Sequence, residues 1–129
     1  MVIDSNYVET AEKVIKTLPN KLDRRNKLIP VVTTSKIRNI LAMTSDIYND
    51  VMNSSEDKLP EEITSRIEYL RIRIIYESGR DPSVKAFVEE AKLLDALKEI
   101  HGSKKNYIRF NHYMEALVAY HRYYGGEEN

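Results

Sequence analysis

Arg66, Tyr69, Arg73, Tyr76 and Arg80 recur at intervals of three and four residues. At ~100° per residue of an α-helix they fall within one arc of roughly 80°. The apolar residues Ile63, Ile67, Leu70 and Ile74 fall on a neighbouring arc. One helix is therefore expected to carry a core face and, beside it, a face of arginines interleaved with tyrosines. Guanidinium groups pair with phosphate and stack on planar rings, and a tyrosine ring can meet a base or a sugar. That is the chemistry of sequence-tolerant contact with a polyanion, although a solvated helix face can present the same residues.

Further cations stand near the expected helix starts. Lys36 and Arg38 flank Ile37, where free backbone N–H groups and the positive end of the dipole attract anions. Lys85 lies in the first turns of another helix, and Lys104, Lys105 and Arg109 open the last one. Each alone reads as a solubilising surface charge; as a set they suit an anionic partner. A catalytic reading is poor. There is no Gly-rich phosphate loop, nucleophile elbow or HExxH helix. His101, His112 and His121 include no pair four residues apart, and there is no cysteine, so no metal site or cofactor is expected. Asp46/Asp50 and Glu61/Glu62 are better read as solvated or dipole-favoured carboxylates than as acid–base pairs. His121 falls on an inward stripe and reads as a hydrogen-bonded core residue.

Prolines and glycines punctuate the chain. Val8, Ala11, Val14, Ile15 and Leu18 predict a helix over 5–18, stopped by Pro19. The basic stretch from Pro19 to Pro30 reads as a mobile loop. A second helix runs from the Thr33–Ser35 caps to Met52, with the stripe Ile37, Ile40, Leu41, Thr44, Ile47, Tyr48 and Val51. Pro60 opens a third and Gly79 closes it as a left-handed cap. Asp81 and Pro82 open a fourth, striped by Val84, Phe87, Val88, Ala91, Leu94 and Leu97 and ended by Gly102. Ser103 caps a fifth, which runs to Gly125 and Gly126 and is followed by an acidic tail. Ile29 to Thr34 is β-prone but too short and isolated to pair, so no sheet is expected. The expectation is an all-α, compact bundle of about five helices. It forms one domain over 1–129, in which 1–32 supply a short helix and basic loop and 33–126 the helical core.

Charged residues make up 31% of the chain and the formal net charge is zero, which excludes a strongly basic binder but not a local basic face. From Lys21 to Arg38 there are six bases and one acid, and from Asp46 to Glu62 six acids and one base. If these blocks segregate in space, copies could stack head to tail; if they interleave, they neutralise one another. No segment approaches the ~20 apolar residues of a membrane span, so a soluble, cytoplasmic domain is expected. Nine tyrosines stand against two phenylalanines. Tyr113, Tyr120 and Tyr123 read either as core edge or as an interface with a wet hydroxyl.

Three blocks, TTSKIRNIL (33–41), LRIRIIYESGRDPSVKAFVEEAKLL (70–94) and NYIRFNHYMEALVAYHRYYGG (106–126), resemble the small subunit of the type III-A CRISPR–Cas effector, the Csm complex. The order and spacing of the blocks agree with that family, and EALVAYHRYYGG is the most specific part. The resemblance implies an all-helical subunit without catalytic activity, several copies of which stack along the backbone subunits and line the groove holding guide RNA and paired target RNA. Cleavage belongs to other subunits. The family's basic residues map onto Lys36, Arg38, Arg71, Arg73, Arg80, Lys104 and Arg109, and Lys85 joins them from the reading of the residues alone. Which of these touch RNA and which form salt bridges stays open. Contact would be to sugar and phosphate, since guide pairing supplies sequence specificity. A protein–protein adaptor that never touches nucleic acid is the alternative.

Overall fold

The computed structural model describes residues 1–129, which form six helices and one two-stranded hairpin. They run α1 (Tyr7–Thr17), β1 (Asn20–Leu22), β2 (Leu28–Pro30), α2 (Thr34–Met52), α3 (Glu61–Arg80), α4 (Pro82–Glu90), α5 (Leu93–Lys98) and α6 (Lys104–Tyr123). The protein is thus the mainly helical bundle expected. α6 packs on α1 and α2, while α3 packs on α2, α4 and α5. The predicted stripes are the buried ones: Ile37, Ile40, Thr44, Ile47 and Val51 on α2, and Ile63, Ile67, Leu70 and Ile74 on α3. Each such aliphatic side chain contributes about 1.5–3 kcal/mol through burial. Val8, assigned to the α1 stripe, is exposed.

The basic stretch from Pro19 to Pro30 is not a free loop. Lys21 pairs with Ile29 and Leu22 with Leu28 in an antiparallel ladder. Asp23 closes the turn: its Oδ1 accepts from Arg25 N at 2.8 Å and Lys27 N at 2.9 Å, and Asn26 adopts φ 61°. This side-chain-to-backbone bonding builds the turn without glycine, which Asn and Asp tolerate best. Lys27 N–H, the largest influence, and the other donors hold the Asp23 carboxyl below its ordinary range. The β-prone Ile29 segment therefore does pair, and the Ile29 side chain is buried, lying against the chain at Gly125.

Gly79 does not end α3; the helix runs through Arg80, and Asp81 turns the chain with φ −141° and ψ 108°. The physical reason is Pro82, whose ring disfavours helical geometry at the residue before it. Arg80 thereby belongs to the helical face with Arg66 and Arg73. The predicted fourth helix is two helices. Lys92 takes a left-handed conformation, φ 53° and ψ 43°, between α4 and α5. The kink rotates the register so that Leu93, Ala96 and Leu97 are buried while Leu94 is only partly so. Tyr113, buried on α6, donates from its hydroxyl to Ala91 O at 2.9 Å, satisfying a carbonyl at the break. Tyr107 likewise donates to Thr44 O at 2.7 Å. Burial pushes both phenols above their ordinary pKa. Tyr113 is thus a core residue and not an interface one, whereas Tyr123 is 79% exposed.

Candidate nucleic-acid interface

α2 and α3 run antiparallel. Lys36 at the start of α2 meets Asp81 just after α3, and Arg66 early in α3 pairs with Asp50 late in α2. Two depressions follow one another along this seam. The first, about 400 Å³, is lined by Ser35, Lys36, Asn39, Ile40, Glu77, Arg80, Asp81 and Val84. The second, about 300 Å³, is lined by Met43, Asp46, Ile47, Arg66, Tyr69, Leu70 and Arg73. Between them they follow α2 from Ser35 to Ile47, a length of about 18 Å at the helical rise. Lys36, Arg80, Arg73 and Arg66 therefore lie on one track, with Tyr69 and Tyr76 each 60% exposed beside it. The Arg80 guanidinium stands over the Tyr76 ring at 5.8 Å.

The other predicted cations do not join this track. Arg38 points to the opposite side of the α2 start, where it pairs with Glu128. Arg71 is half-buried on α3, with Nη1 3.7 Å from Glu68 and a buried Nε that has no partner. Lys85 is exposed on α4, 3.9 Å from Glu89. Lys104 Nζ donates to Ser54 O at 2.6 Å, so it serves the chain just beyond the end of α2. Arg109 is half-buried near Met1, Ile3 and Glu99. Lys36 and Lys104 thus work at opposite ends of α2, about 24 Å apart along its axis.

Carboxylates accompany the cations of the track as well. Lys36 Nζ is 2.6 Å from Asp81 Oδ2, and Arg73 and Arg80 share Glu77 at 3.9 and 3.7 Å. Asp81 is the most constrained of these acids. Its Oδ1 accepts from Ser83 N, Ser83 Oγ and Val84 N, so it caps α4 while holding Lys36. The Lys36 ammonium first, then the Ser83 hydroxyl, hold its carboxyl far below the ordinary carboxylate range. The Arg73 and Arg80 pairs are long, and although Glu77 is only 17% accessible both guanidinium groups are open to solvent. Ion pairs held so loosely are worth only about 0–1 kcal/mol, which leaves both guanidinium groups exchangeable.

The helix starts are not open anion sites. The N–H groups of Thr34 and Ser35 donate to the carbonyls of Glu127 and Glu128 at 2.7 and 2.8 Å. At α6, Ser103 Oγ accepts from Asn106 N, and Asp57 Oδ1 accepts from Lys105 N. Sequence reasoning did not select Lys21 or Arg122, which gather with Arg38 around these tail residues. Only the nearness of Arg122 to the acidic tail hinted at it. His121 is the core residue expected: fully buried, with Nε2 2.7 Å from Val32 O and Nδ1 2.9 Å from Thr34 Oγ1. A carbonyl only accepts, so Nε2 carries the proton and Nδ1 accepts from the hydroxyl. Across the whole fold, no three acidic, histidine or cysteine side chains are grouped to hold a metal ion, and no helix is long and apolar enough to cross a membrane.

A small helical bundle with an arginine- and tyrosine-lined seam between two antiparallel helices is the class of protein defined by this fold and site. The family model for type III-A Csm2 matches residues 7–127. A Mycobacterium tuberculosis protein described as CRISPR system Cms protein Csm2 is 40% identical over 122 residues, covering 95% of this chain and 94% of the relative. Proteins of the same description from Streptococcus thermophilus and Enterococcus italicus are 38% and 36% identical, covering 99% and 95% of this chain and 98% and 90% of the relatives. The chain belongs to the type III-A Csm2 family, the small-subunit family that its sequence blocks resemble.

Proposed function

We propose that this chain is a non-catalytic subunit of a CRISPR type III-A effector complex in the cytoplasm, where several copies stack along the backbone subunits and touch guide and target RNA through sugar and phosphate. The observation that carries this reading is the α2–α3 seam, where Lys36, Arg73 and Arg80 lie on one track with exposed tyrosines. Backbone contact of that kind reads charge and helical shape and leaves base identity to the guide. The outer face of α3 supports the assembly part. Tyr69, Ile72, Ile75 and Tyr76 are 60%, 59%, 47% and 60% exposed on one helix, more large apolar surface than a lone helix gains by showing to water.

The same four residues favour a second reading, an adaptor that meets only protein. Crosslinking in the assembled complex separates the two. A subunit on RNA yields nucleotide adducts on α2 and α3 peptides, and an adaptor yields none. For the isolated protein, Arg73→Ala/Arg80→Ala is expected to weaken RNA binding equally for unrelated sequences.

A further inference from the structure

Three cations from separate elements close on residues 127 and 128. Lys21 of β1 has Nζ 3.0 Å from Glu127 Oε1. Arg38 of α2 reaches Glu128, and Arg122 of α6 reaches the same carboxylate at 3.4 Å. The main chain of this segment lies across the first turn of α2 through the Thr34 and Ser35 N–H groups. Its upstream anchor is firm: Gly126 is buried, donates from N to His121 O at 2.8 Å, and accepts from Arg122 Nη1 at 2.9 Å. Gly125, at φ +89°, provides the turn that brings the strap back over the helix.

We propose that Lys21, Arg38 and Arg122 form a phosphate cradle on the opposite side of the α2 start from Lys36, and that Glu127 and Glu128 are its intramolecular stand-in, displaced when an RNA backbone binds. The inference rests on the RNA-contact reading above. A phosphodiester offers the cradle what the strap does, negative charge and acceptor oxygens for guanidinium and backbone N–H groups. The partners of these carboxylates decide which pairs exchange. The Asp81 carboxylate is fixed in place, because its Oδ1 caps α4 through Ser83 and Val84, so it is not a group that a phosphate displaces. The Glu127 and Glu128 carboxylates make only the exposed ion pairs, their side chains each 46% accessible. Pairs of that kind are weak enough to trade for a phosphate. The Gly126 anchor stays while residues beyond it swing away.

The test is equilibrium binding of a fluorescein-labelled oligouridine to the full chain. Glu127→Gln/Glu128→Gln is expected to tighten binding about three- to tenfold, the range that three weak, exposed ion pairs supply. Asp4→Asn/Asp95→Asn removes the same charge beside α1 and α5, at a depression that shares no residue with the seam or the cradle, and is expected to change binding by less than about twofold, since screening confines charge effects to about 10 Å. Arg38→Ala is expected to cost more affinity in the Glu127→Gln/Glu128→Gln background than in the parent. Equal tightening by the two double variants would overturn the proposal, because bulk charge would explain it. So would unchanged binding by Glu127→Gln/Glu128→Gln while Lys36→Ala/Arg73→Ala/Arg80→Ala weakens it; that result spares the RNA-contact reading and leaves the strap purely structural. If neither set changes binding, both readings fail together.

Discussion

His121, Gly126 and Thr34 form one unit at the residue scale. A Cβ at Gly126 would land on the His121 ring, which is held on both nitrogens and has no room to turn. Gly126→Ala is expected to lower stability by about 1–3 kcal/mol, as overpacked cores do, measurable in urea as a shifted midpoint. Burial, the largest influence, holds the His121 pKa below its ordinary value. The unfolded chain therefore takes up a proton near pH ~6.5 that the folded chain refuses, and stability falls as pH drops below that point. His121→Gln is expected to flatten the fall in melting temperature between about pH 7 and pH 5.5 relative to the parent; an equal slope in both would place the acid sensitivity elsewhere. That His121 faces inward was legible from the α6 stripe. Its partners were not, because Val32 and Thr34 lie 89 and 87 residues away in sequence and only the tertiary fold brings them to the ring.

At the scale of elements, periodicity found the long helices and missed two shapes that side-chain chemistry makes locally. The α2 and α3 stripes are the buried faces because they keep a 3.6-residue period over many turns. The hairpin over 20–30 has no apolar alternation to announce it; Asp23 and Asn26 build its turn. The break at Lys92 carries neither glycine nor proline and is stabilised from outside by Tyr113. Tyr113→Phe is expected to cost about 1–3 kcal/mol, the penalty of stranding a buried carbonyl, while the ring still fills its site. Asp81→Ala should cost about 0.5–2 kcal/mol through the lost α4 cap, seen in thermal or chemical unfolding. Its depressed carboxyl adds stability that is fully present above the ordinary carboxylate pKa and is lost as pH falls below it. Asp81→Asn, which keeps an acceptor for the cap, should retain more of the stability at neutral pH than Asp81→Ala does.

For the whole molecule, zero net charge conceals a layout that the sequence left open between segregated and interleaved blocks. Antiparallel packing of α2 against α3 sets the acidic end of one beside the early arginine of the other, and Asp50 meets Arg66. The acidic stretch before α3 meets the basic start of α6, where Asp57 Oδ1 accepts from Lys105 N. Much of the charge is thus interleaved, while the seam from Lys36 to Arg66 keeps its cations in one line. The arginine–tyrosine face on α3 was legible because a single helix carries it. Which distant cations share its side was not, because that depends on how α2, α4 and α6 are turned against one another. The most direct test of RNA contact at the seam is the salt dependence of single-stranded RNA binding by Lys36→Ala/Arg73→Ala/Arg80→Ala. Each phosphate contact contributes about 0.7 to the slope of log K against log salt, so the triple variant is expected to bind more weakly with a slope shallower by about 2. An affinity and slope equal to the parent's would contradict the account.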